Sequence, residues 1–150
     1  MTTSPQFLGD VKTDYALIIR EISHMSDKGT LTMPERFNTQ FWTMLDQLVD
    51  GSSIVIDRPK NSRHPDWENM VYPLDYGYLA GTTSSDGAGI DLWQGEGGKT
   101  DVTAIICAVD LLKKDSEIKL LLGCTEEEMV TIVDFLNTHG MGCYLVRRDR

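Results

Sequence analysis

The chain has 150 residues, 41% hydrophobic and 25% charged. That balance excludes disorder and a long coiled coil and suits one domain able to bury a core without a disulfide or metal. A formal charge of −9 argues against a nucleic-acid binder, whose affinity comes from Lys and Arg on phosphates. A small anionic substrate is then admitted only where a divalent cation or a local basic cluster offsets the field.

In chain order, residues 1–13 are polar. Tyr15, Ile18, Ile19, Ile22 and Met25 recur at helical spacing, which predicts a helix over 14–25 with Asp14 as its N-cap. Thr32 and Glu35 form a T-x-x-E capping box with Pro34 in the first turn. Phe37, Phe41, Met44, Leu45 and Leu48 follow on one face, predicting a second helix over 33–49 that Gly51 ends. From Ser52 the texture changes to short β-rich runs: 53–57, 76–79, 90–93, 102–109 and 118–122, with a last one at 143–146. A long charged loop with three of the five prolines fills 58–76, and Gly-rich turns fill 82–89 and 95–99. Thr125 and Glu128 form another capping box, opening a helix with Met129, Ile132, Val133 and Leu136 on its apolar stripe and Gly140 at its end.

The expected class is therefore α+β: a small curled antiparallel barrel, OB-like and of about five strands, with helices near both ends. The expected organisation is one domain over 1–150, with a helical extension over 1–50 and the barrel and last helix over 52–147. Cys107, Cys124 and Cys143 are odd in number and lack CxxC spacing, so neither a disulfide framework nor a zinc site is expected. Cys107 and Cys143 stand in apolar runs and read as buried small hydrophobes. The start lacks the basic and apolar regions of a signal peptide, and no run nears the roughly 18 apolar residues of a membrane span. A cytoplasmic protein without membrane contact is the expectation.

Four segments carry chemistry. Asp86-Gly-Ala-Gly-Ile-Asp91 sets two carboxylates across a Gly-rich turn, where oxygen ligands suit Mg²⁺, although an ordinary hairpin uses the same residues. Tyr72-Pro-Leu-Asp-Tyr-Gly-Tyr78 presents phenols, which donate to phosphate oxygens without adding charge, or simply pack around a turn. Arg58, Lys60 and Arg63 are the densest basic cluster outside the tail, an anion clamp or a solvated loop. His64 has no second histidine at metal spacing, so a zinc role is not expected. Asp115, Glu117 and Lys119 alternate, so a strand would place all three on one face; a charged strand edge reads the same way.

Taken in order, these segments resemble the soluble inorganic pyrophosphatase family, with its small five-stranded barrel. Tyr72-Pro-Leu-Asp-Tyr-Gly-Tyr-Leu79 resembles the family's Y-P-x-N-Y-G-Y-I, and Asp86 to Asp91 resembles its metal signature D-G-D-P-x-D at matching spacing. Val55 to Glu68 resembles its opening V-I-E-I-P and K-Y-E stretch. The likeness covers about Ile54 to Lys119, under half the chain. It implies Asp57 and Glu68 as active-site acids, and Tyr72 and Tyr76 beside the phosphates and the attacking water. It implies Asp86, Asp91 and Glu117 as Mg²⁺ ligands, Asp115 as a further one, and Lys119 as a phosphate-binding cation.

The departures are as informative. Ala88 stands where the signature has its middle aspartate, which in the family helps hold and deprotonate the attacking water. Loss of a positioned base typically costs about 10² to 10⁴ in rate. Asp66 replaces the K-Y-E lysine and Trp67 its tyrosine, the hairpin bearing the family's D-R arginine is missing, and the C-terminal Tyr-Lys pair has no match near Thr138 and His139. Arg58, Lys60 and Arg63 are the candidates to replace the lost cations. The resemblance implies a slow or altered Mg²⁺-dependent phosphoanhydride hydrolase acting on a small phosphate-containing substrate, with neither nucleic acid nor membrane as partner and room for a homo-oligomer. The alternative is a non-catalytic metal–phosphate-binding or protein-interaction domain on the same fold.

Overall fold

The computed structural model of the protein describes residues 35–149, with side chains from Asn38 onward. The helix expected over 14–25 and the Thr32 capping box lie outside the described residues. Residues 42–150 form one compact unit, to which the sheet and its cavity belong.

Helix α1, Glu35–Asp50, leads into strands β1, Ser53–Arg58; β2, Asp75–Ala80; β3, Ile90–Gln94; β4, Val102–Asp110; and β5, Asp115–Leu122. Helix α2, Glu126–Thr138, and strand β6, Met141–Arg147, complete the order. The class is α+β, as the alternation of β-rich runs and capping boxes indicates. The six strands form one sheet in the order β1-β2-β3-β5-β4-β6. Every pairing is antiparallel except β3 with β5, which is parallel. The first five strands follow the order of a small Greek-key barrel, but β6 occupies the free side of β4 and the sheet stays open.

Alternation along the strands splits the apolar residues between two faces. Ala104, Ile106, Ala108 and Leu121 pack with Met129, Ile132 and Leu136 of α2. Ile105, Leu120 and Leu122 pack with Trp42 and Val49 of α1. Full burial of each such aliphatic side chain contributes about 1.5–3 kcal/mol. The buried stripe of α1 is rotated from the expected one. Trp42 and Val49 are buried while Met44 and Phe41 are exposed, because the indole offers the larger apolar area to the sheet. Arg148 fastens the chain end to this helix through two hydrogen bonds to Asp46, at 2.7 and 2.8 Å.

Helix α2 starts as its sequence dictates. The Thr125 side chain accepts from the Glu128 N–H, and Glu128 accepts in return from the Thr125 N–H. Gly77 allows β1 and β2 to approach: a Cβ there would lie 1.8 Å from the Val55 carbonyl oxygen. A register shift between Ile56 and Arg58 interrupts alternation at the same strand pair, re-aiming neighbouring side chains as bulges do. Cys124 is buried, but Cys107 is exposed. Ile106 and Ala108 take the α2 face, so alternation turns Cys107 to the other face, at a part of it that stays solvated. Among the described residues no helix is long and apolar enough to cross a membrane.

Candidate functional site

Strand β5 carries the central group. Its alternation turns Asp115, Glu117 and Lys119 to the α2 face, with Ser116 and Ile118 exposed on the other. Lys119 is 1% exposed. Its Nζ donates to Glu117 Oε1 at 2.5 Å, to Asp91 Oδ2 at 2.7 Å and to the Tyr76 hydroxyl at 3.3 Å. Asp91 arrives from β3 because the parallel register sets Leu92 against Leu120; Tyr76 arrives from β2, paired to β3 at Trp93. Burial alone would lower the Lys119 pKa. The charges and hydrogen bonds of Asp91 and Glu117 outweigh it, and the net shift is upward. The amine is thus held as an ammonium. Burial, then the Asp91 charge, raises the pKa of Tyr76, which stays a neutral phenol.

These residues line a cavity of about 380 Å³. Asp57, the extra residue in the register shift, and Arg58 after it both reach its wall from β1. Arg58 Nη1 donates to the Tyr72 hydroxyl at 2.6 Å, fixing a ring that is 3% exposed. Asp86 and Ala88 reach it from the β2–β3 turn. Asp86 Oδ1 accepts from the Ser84 hydroxyl at 2.7 Å and the Ala88 N–H at 2.9 Å, and these bonds lower its pKa. Ala88 therefore opens onto the cavity with a methyl group where a carboxylate would change the chemistry.

Of the residues singled out from sequence, Asp57, Arg58, Tyr72, Tyr76, Asp86, Asp91, Glu117 and Lys119 share this cavity. Glu68, Arg63 and Asp115 lie outside its wall. The loop after β1 closes on itself, with Arg63 bridging Val71 and donating to the Glu68 carbonyl at 3.1 Å. Asp115 stands at the start of β5 opposite Asp110. Lys60 is tied to Glu96, so Arg58 is the one member of the basic cluster on the wall.

Asp110, Lys113, His64, Trp67, Phe135 and His139, to which the sequence assigned no role at the site, also line the cavity. The usable signal was Trp67, a large ring inside a charged loop. Trp93 borders it too, wholly buried, and its indole N–H has no hydrogen-bond partner.

Five wall carboxylates, Asp57, Asp86, Asp91, Asp110 and Glu117, face three cations, Arg58, Lys113 and Lys119. Among the described residues no three His, Cys, Asp or Glu side chains stand close enough to share an ion. Mg²⁺ does not require such a cage, since it is usually held by one or two carboxylates together with phosphate oxygens and water. The hard oxygen donors and the acid excess of this wall fit that mode.

No family model matches the chain, and no curated protein is significantly similar to it. Among solved structures, an inorganic phosphatase from Anaplasma phagocytophilum is similar, with a TM-score of 0.45 and 14% identity over 63% of this chain and 81% of that one.

Proposed function

We propose that the cavity binds a phosphoanhydride together with a divalent cation and hydrolyses it slowly, pyrophosphate being the first substrate to test. The observation that carries this reading is the convergence of Lys119, Tyr76, Asp91 and Glu117 on one wall with Asp57 and Asp86. These are the positions that resemble the pyrophosphatase motifs.

Asp86 and Asp91 would hold Mg²⁺, which supplies neutralisation of phosphate oxygens and acidifies a bound water. An excess of two negative charges on the wall would otherwise repel a phosphate polyanion. Lys119 supplies a fixed positive charge in the cavity wall, held before the substrate arrives by Asp91 and Glu117, so no reorganisation is needed as charge develops. Tyr76, kept protonated, donates to a phosphate oxygen. Arg58 adds a second cation and holds Tyr72 in place. Water adds to one phosphorus; the bond from that phosphorus to the bridging oxygen breaks, and its electron pair leaves with the second phosphate. Asp57 is the acid on the β1 wall left to orient that water, because Ala88 offers none. A rate below that of an enzyme with a dedicated base follows.

Ala88 on the wall also favours a second reading, binding without turnover. Titration with Mg²⁺ and imidodiphosphate, alongside phosphate release from pyrophosphate with and without Mg²⁺, tests both. Mg²⁺-dependent binding and release support hydrolysis; binding alone supports the second reading; the absence of both removes the phosphoanhydride site.

A further inference from the structure

The cavity has a ring-lined part that inorganic phosphate chemistry leaves unused. Trp67 is 55% exposed and stacks on His64 with ring centroids 4.9 Å apart and planes 23° apart. His64 lies nearly parallel to Tyr72, at 6.5 Å and 16°, and Tyr72 stacks on Tyr76 at 5.4 Å. The Tyr76 hydroxyl meets Lys119 Nζ. A run of stacked rings therefore leads from a solvent-exposed indole to a buried ammonium within one cavity.

A bare diphosphate gains nothing from such rings, because their faces carry negative quadrupole charge that disfavours an anion. The space is also generous: about 380 Å³ is about a dozen waters at roughly 30 Å³ each. Trp67, stacked on His64 on one side yet exposed, is the ring in this run open to a planar guest, and stacking of a base on an aromatic side chain tolerates any base because each has a π-face.

We propose that the substrate is a nucleoside 5′-diphosphate, its phosphoanhydride toward Lys119 and its base against Trp67. The inference rests on the phosphoanhydride reading of the same cavity and adds the organic group. Hydrolysis keeps the same balance: water adds to the terminal phosphorus, and the bond to the bridging oxygen breaks. The nucleoside monophosphate leaves with the electron pair, and the protons of water are shared between the products and solvent.

The test is calorimetric titration of the full chain in Mg²⁺ with three non-hydrolysable probes: methylenediphosphonate, α,β-methylene-ADP and a prenyl methylenediphosphonate. The nucleoside probe is expected to bind at least about tenfold tighter than methylenediphosphonate, within what one stacked base supplies. Trp67→Ala should erase that advantage and leave methylenediphosphonate binding unchanged. Trp67→Gln, which keeps bulk without a ring, should do the same and serves where the alanine variant unfolds. If methylenediphosphonate binds as well as the nucleoside probe, the inference is overturned while the phosphoanhydride site stands. An advantage that survives both variants, or a prenyl probe that binds tightest, overturns it too. If none of the three binds, the inference and the phosphoanhydride reading fall together.

Discussion

Lys119 and Glu117 lie two residues apart on β5 and point to the same face, with 2.5 Å between Nζ and Oε1. Asp91 closes the group from β3 at 2.7 Å. Strand alternation and one parallel pairing thus fix a cation between two acids before any ligand arrives.

Removing that cation leaves two carboxylates facing each other on a largely buried wall. Lys119→Met should cost about 3 kcal/mol or more, as breaking a buried pair from one side does. Lys119→Met with Glu117→Gln should recover part of the loss, because one of the unpaired charges is gone. Urea unfolding of the three proteins measures both. A loss under about 1 kcal/mol would place the group among solvent-screened pairs.

The same group sets a pH dependence. The folded pKa of Lys119 is raised, so its contribution is fully present below the unfolded value of about 10.4 and is lost as pH rises through the folded pKa. Thermal unfolding from pH 9 upward should show the wild type losing stability more steeply than Lys119→Met. Parallel curves would contradict the upward shift.

Gly77 tests the backbone beneath the site. A methyl there meets the Val55 carbonyl at 1.8 Å, so β1 and β2 must separate. Gly77→Ala should destabilise by about 3 kcal/mol or more, at the upper end for point changes. Gly97→Ala, with nothing within 4 Å of its added Cβ, should stay within about 0.5 kcal/mol. Equal effects at the two positions would refute the steric account.

The elements were legible where local signals are strong. The Thr125 capping box opens α2, and alternation places Glu117 with Lys119. Boundaries were less so: β5 begins at Asp115, three residues before its apolar run, because pairing with β4 extends a strand past its hydrophobic part. The sheet's opening was not legible either. The run at 143–146 gives no sign that β6 takes the free side of β4, a choice made by long-range pairing. At the site, Tyr76 of one motif and Asp86 and Asp91 of the next fall on one cavity. Spacing could not place Arg63 or Glu68, whose loop closes through backbone bonds such as His64 N–H to the Met70 carbonyl. Nor could it bring in Phe135 and His139, which α2 delivers from far along the chain.

Cysteine reactivity checks the two faces independently. Cys124 is buried and its pKa is pushed up to about 12 by burial and the Glu128 charge, so little thiolate exists at pH 8. Burial also raises Cys143. Iodoacetamide on the native protein at pH 8 should modify Cys107 first and Cys124 last, as read by peptide mass spectrometry. Early loss of Cys124 would contradict the packing of α2.

The most direct measurement is phosphate release from pyrophosphate by the wild type and by Ala88→Asp across a series of Mg²⁺ concentrations. Ala88 faces the cavity between Asp86 and Asp91 in sequence, and an acid there supplies the missing water-positioning group. Turnover should be slow in the wild type and rise at least about tenfold in the variant, equivalent to about 1.4 kcal/mol off the barrier. The gain should need high Mg²⁺, since the new carboxylate adds a sixth acid to the wall. Fast wild-type turnover would mean that another acid, such as Asp57, already supplies the base. No release from either protein at any Mg²⁺ concentration would contradict a hydrolytic phosphoanhydride site.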